Sequence, residues 1–133
     1  MNNWRQILSW AELPPECYIE GDLDLSGTFV TTLGKIETVS GNLNLYNTSI
    51  TNLGNLRTVG RNLDVYRTPI TDLGNLQTVG RDLYLYNTPI INLGNLQTVG
   101  RDLYLHNTPI LRLPENERNR ILSKVKVGGK IRF

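Results

Sequence analysis

The chain repeats itself every 20 residues, and that period constrains its fold more than any other feature. Segments 21–40, 41–60, 61–80, 81–100 and 101–120 align without gaps over most of their length. Leu73–Ile90 returns as Leu93–Ile110 with 17 of 18 positions identical, Tyr86 becoming His106. A match of that quality marks duplication of a unit. One 20-residue unit with a single strand cannot bury its own apolar face, whereas stacked copies can. The period therefore predicts a repeat solenoid.

Within a unit the frame is x-x-L-x-L-x-x-T-x-I-x-x-L-G-x-L-x-T-V-G. The alternation in Leu-x-Leu predicts a short strand with both leucines inward. The apolar spacing then becomes three, as in Ile70, Leu73, Leu76 and Val79. That spacing fits 3₁₀ turns or extended backbone better than an α-helix. Pro69, Pro89 and Pro109 end the strand, since proline donates no ladder hydrogen bond. Gly34, Gly54, Gly74 and Gly94 supply a tight turn, and Gly60, Gly80 and Gly100 a second corner where the first copy has Ser40. The expected architecture has a parallel β-sheet on one side and 3₁₀ or extended turns on the other. A closed parallel β-helix is the alternative.

The L-x-L-x-x-T-x-I stretch resembles the leucine-rich-repeat family, and it is most similar to short bacterial and phage variants with L-P or L-G on the return side. The resemblance covers about residues 21–113. Thr28, Thr48, Thr68, Thr88 and Thr108 stand where the family carries a buried Asn ladder. A threonine hydroxyl can also satisfy a buried backbone group. The family's first Leu is absent, with Val39, Val59, Val79 and Val99 one residue earlier.

Solenoid ends need covers. Residues 1–20 are expected to form a helical cap and half a repeat. Trp4, Ile7 and Leu8 would share one helical face, with Trp10 expected to pack in the cap and Cys17 to be half-buried there. Residues 114–133 are expected to form the opposite cap, a helix with an Ile121, Leu122, Val125 stripe and then a sixth strand. That strand follows from the match of Val127–Phe133 to Val99–Leu105, and it would place Ile131 and Phe133 inward. The whole is one domain.

The repeat also sorts the polar side chains. Between and around the inward leucines three columns face outward: Asp22, Asn42, Asn62, Asp82, Asp102; then Asp24, Asn44, Asp64, Tyr84, Tyr104; then Ser26, Tyr46, Tyr66, Tyr86, His106. Five of six tyrosines thus share one surface with the single histidine. Tyrosine offers large contact area at low entropic cost, so Tyr46, Tyr66, Tyr84, Tyr86 and Tyr104 are the candidate partner-binding anchors, beside His106. Asp64, Asp82 and Asp102 would set the polarity of that face. Arg61, Arg81 and Arg101 start successive strands and form a basic edge. Arg118, Arg120, Lys124, Lys126 and Lys130 belong to a basic C-terminal cap.

Composition removes most chemistry. One Cys excludes an internal disulfide framework and a cysteine zinc site, and one His excludes a multi-histidine metal centre. No phosphate loop, dinucleotide fingerprint or nucleophile motif is present, so the expectation is no enzyme, no cofactor and no metal. No apolar run approaches the length of a membrane span, and the opening MNNWRQILSWAEL lacks the basic start and apolar stretch of a secretory signal, so a cytoplasmic protein is expected. The net charge of +2 divides into −3 for residues 1–111 (7 basic, 10 acidic) and +5 for residues 112–133 (7 basic, 2 acidic).

These features point to a non-enzymatic scaffold that binds a protein through its Tyr/Asp-rich face, as a monomer or weak homodimer. Resemblance to phage variants implies a narrower role, an inhibitor or adaptor that occludes a host protein. One alternative is binding of a single-stranded or guide-RNA-like nucleic acid, or of a ribonucleoprotein, through the arginine edge and basic cap. Another is a structural part of an assembly.

Overall fold

A computed structural model describes residues 18–133, and within them the chain winds into stacked coils of 20 residues, the last lengthened to 28 by a helix. The N-terminal helix and the placements of Trp4, Trp10 and Cys17 lie outside the described residues. Each coil contributes to two parallel ladders of six two-residue strands. One ladder joins Leu23–Asp24, Leu43–Asn44, Leu63–Asp64, Leu83–Tyr84, Leu103–Tyr104 and Ile131–Arg132. The other joins Tyr18–Ile19, Thr38–Val39, Thr58–Val59, Thr78–Val79, Thr98–Val99 and Lys126–Val127. Register is in step: Leu43 faces Leu63 and Val59 faces Val79, so equivalent positions of successive coils stack along each column. The molecule is a β-solenoid.

The second ladder adds to the single sheet expected from Leu-x-Leu. The return side is extended and turn-like, and a 3₁₀ turn occurs at Pro109–Arg112. Coils are also tied there by backbone hydrogen bonds, as from Thr51 N–H to the Thr31 carbonyl at 2.9 Å. A β-helix description is compatible with this pattern.

Every inward Leu, Ile and Val of the repeats joins one continuous core running from Ile19 to Val125. The threonine column is buried as well. Each hydroxyl donates to the carbonyl three residues earlier, as Thr68 does to Val65, at 2.5–2.8 Å. The buried hydroxyl is therefore satisfied within its own coil, not between coils.

The two glycine corners have different causes. Gly34, Gly54, Gly74 and Gly94 have φ near +55°, the left-handed region that glycine enters without steric penalty. At Gly60, Gly80 and Gly100 the reason is proximity. A methyl group on Gly80 would overlap the Gly60 carbonyl of the coil beneath.

The C-terminal cap is a helix, Glu115–Ser123, whose Ile121 and Leu122 pack against the core while Val125 is buried. The sixth strand forms in the expected register, Ile131 opposite Leu103. Phe133 departs from its expected inward position and is 67% exposed. It continues the column of Leu105, but among the described residues no further coil stacks over it.

Candidate functional site

The Leu ladder turns its outer face to solvent, and the coil spacing fixes what stands on it. Tyr46, Tyr66, Tyr86 and His106 form one rank, with ring centroids 5.3, 4.5 and 4.5 Å apart. Tyr84 and Tyr104 form a second rank, 4.8 Å apart and stacked. The ranks meet edge-on, Tyr84 lying 6.2 Å from Tyr86 at 78°. Adjacent strands in any sheet lie about 4.8 Å apart, so a repeated aromatic is brought to stacking distance by the backbone itself. All six aromatic residues singled out in the sequence thus come together.

The stacking decides which atoms a partner can reach. Interior rings present edges and hydroxyls, because their faces are covered by neighbours. Burial pushes the Tyr84 phenol up to about 12, and nearby Asp82, which accepts its hydroxyl hydrogen at 3.3 Å, adds to the effect. The Tyr86 phenol is likewise raised, first by burial and then by Asp64. These phenols therefore remain neutral donors throughout the physiological range.

The acidic residues divide into two roles. In the first column each side chain accepts the backbone N–H of the residue 20 positions on: Asp22 from Asn42, Asn42 from Asn62, Asn62 from Asp82, Asp82 from Asp102. Asp102 closes the series by accepting from Lys130 N–H, and the distances are 2.7–3.0 Å. The column is a clasp between coils, built partly from Asp82 and Asp102. In the second column Asp24, Asn44 and Asp64 accept the N–H two residues on, which turns the chain into the aromatic rank. Burial raises the Asp64 carboxyl above its ordinary range, opposed by the Tyr66 N–H.

Arg61, Arg81 and Arg101 stand exposed at the Gly corner beside this face. Lys126 and Lys130 continue the basic character on the last coil, and Lys124 precedes them. Arg118 and Arg120 lie on the terminal helix, apart from the ladder. Arg132, one of the seven basic residues of segment 112–133, completes the second aromatic rank. Its guanidinium carbon lies 5.8 Å from the Tyr104 ring centre, and it pairs with Asp102 at 3.1 Å. Lys130 N–H, followed by Arg132, holds the Asp102 carboxyl below the usual range. The signal was present in the match of Val127–Phe133 to Val99–Leu105, which sets Arg132 opposite Tyr104.

Among the described residues, no cluster of three or more His, Cys, Asp or Glu side chains is placed to hold a metal. None of their helices is long and apolar enough to cross a membrane. Fold and face together define a β-solenoid that carries a laddered aromatic surface. Comparison with protein-family models, curated proteins and solved structures gave no match.

Proposed function

We propose that the chain is a non-catalytic protein-binding scaffold, acting by occlusion through the aromatic face of its Leu ladder. The observation that carries this reading is the gathering of six aromatic side chains on one exposed sheet, held in place by inter-coil hydrogen bonds. Such a surface is already ordered, so a partner meets little entropic cost in fixing it. The face, about five residues wide on each of the five repeated coils, spans on the order of 400 Å². A stable complex buries about 800 Å² per partner, so the contact extends onto a flank, for which the Arg61, Arg81, Arg101 corner is adjacent.

Stacking of nucleobases on this face is disfavoured, because the interior ring faces are taken up by one another. A phosphate-led complex would weaken steeply with salt, whereas a tyrosine-led contact changes little. The test is affinity capture from lysate of the source cell, comparing the protein with a Tyr46/Tyr66/Tyr86→Ala variant. The expected result is a partner that survives nuclease and raised salt and binds the variant at least about tenfold more weakly, as loss of clustered tyrosine anchors produces. A folded variant that retains every partner would overturn the reading.

A further inference from the structure

The aromatic rank of Tyr46, Tyr66, Tyr86 and His106 stops one coil short of the first. Ser26 occupies the next position, with Gly27 N–H bonded to the Tyr46 carbonyl to fix the alignment. A serine is far smaller than a ring, so the face of Tyr46 toward the first coil has no aromatic neighbour in the rank. Tyr46 is accordingly 37% exposed, while Tyr66 and Tyr86 are less so. Beside this opening stands Asp24. Its Oδ1 accepts both the Ser26 N–H at 3.0 Å and the Ser26 hydroxyl at 2.7 Å. Its Oδ2 accepts no hydrogen bond among the described residues.

The molecule already shows what closes such an end. At the far end of the neighbouring rank, Arg132 takes the place a ring would hold, lying against Tyr104 and pairing with Asp102 Oδ2. The opening over Ser26 offers the same two elements, a tyrosine face and a carboxylate oxygen, though here the acid comes from the vacant coil. We propose that this opening is a docking site for the guanidinium of an arginine on a protein partner, stacked on Tyr46 and paired with Asp24. A guanidinium is planar and binds carboxylates through a fixed fork, which suits both surfaces; a lysine ammonium meets only the charge. Glu20, Asp22 and Asp24 make this end of the face acidic in sequence, which repels a phosphate and attracts a cation. The inference rests on the reading of this face as a protein-binding surface.

The experiment is an NMR titration of the isotope-labelled full chain with acetyl-Gly-Arg-Gly amide, and with Lys and Tyr counterparts. One isolated guanidinium binds with a Kd on the order of 10–100 mM, which ring and amide shifts can follow. The expected result is a shift of the Tyr46 ring and of Ser26 and Asp24, with the Lys peptide about threefold weaker or more. Ser26→Tyr extends the rank as other coils do and abolishes the response. Asp24→Asn keeps the turn, since Asn44 makes the same bond to Tyr46 N–H at 3.0 Å, and weakens the response severalfold. An unresponsive Tyr46 would overturn the proposal, as would indifference to either substitution, or stronger binding of the Tyr peptide. Contact of Tyr46 with any side chain of residues 1–17 in the free protein would overturn it too. A titration that succeeds while lysate capture fails keeps the guanidinium site and removes the protein partner; the reverse keeps the face and removes the site.

Discussion

Asp64 is a half-buried carboxylate at the point where the acidic half of its column gives way to Tyr84 and Tyr104. Burial raises its proton affinity in the folded state, and the bond from Tyr66 N–H at 2.9 Å compensates only in part. A group whose folded pKa exceeds its unfolded one stabilises the fold below the unfolded pKa and loses that contribution as pH rises through the folded one. At neutral pH the charge on Asp64 is therefore a cost. Asparagine keeps the oxygen that receives Tyr66 N–H, as Asn44 does for Tyr46. Asp64→Asn is expected to raise the thermal midpoint at pH 7, with the gain shrinking toward pH 4 and below as Asp64 in the parent protonates. Melting curves across pH 3–8 would check it, and a gain independent of pH would exclude the charge as its origin.

A coil meets its neighbours through the shared core, the two backbone ladders, the return-side backbone hydrogen bonds, the Asn/Asp clasp and the close approach of the second glycine corner. The last has a sharp consequence. In Gly80→Ala the new Cβ would overlap the Gly60 carbonyl oxygen and lie 2.8 Å from its carbon, so the coils must separate or slide. In Gly74→Ala the nearest atom, Asp72 Oδ1, is 3.7 Å away, and the penalty is the φ of +54° alone. The expected losses are about 1–2 kcal/mol for Gly74→Ala and above about 3 kcal/mol for Gly80→Ala. Urea unfolding compares them, and equal losses would mean that the coils can yield at the corner. The sequence shows both corners alike, as glycine, because letters do not separate a dihedral need from a packing need. The same ambiguity hid the clasp. Asn42, Asn62 and Asp82 lie beside an inward leucine, which places them on the outer surface, but that placement does not specify that their oxygens reach along the ladder to the next backbone. The left-handed column at Gly27, Asn47, Arg67, Asn87 and Asn107 is half-legible for a related reason: Gly and Asn at four of its five positions are the usual tenants of that conformation, but Arg67 is not. What the period did make legible was the inward leucines, the stacking and the tyrosine ranks, since each follows from which residues recur every 20 positions.

Across the whole molecule, contacts run between neighbouring coils, and the fold behaves as a one-dimensional array. Its core repeats the same six apolar positions, so a defect is expected to matter according to its place along the array as well as its size. Leu33 and Leu73 occupy the same column and are both fully buried, one in the first repeated coil and one in the third. Truncation of either to alanine removes a similar side chain, worth about 2–5 kcal/mol in a packed core. In Leu73→Ala the weakened coil has intact neighbours on both sides, so opening it breaks two interfaces and lowers the global unfolding midpoint. In Leu33→Ala the first coil can open while the later coils keep their pairing. Native-state hydrogen exchange would separate the two. The amides of Leu83 and Leu103, which donate to Asp102 and Lys130 carbonyls, should lose protection in Leu73→Ala and keep it in Leu33→Ala. Equal loss in both variants would show a single cooperative unit, and the aromatic face would then be as stable at Tyr46 as at Tyr104. Unequal loss would make the Tyr46 end, where the rank gives out over Ser26, the part of the face most easily reshaped by whatever binds it.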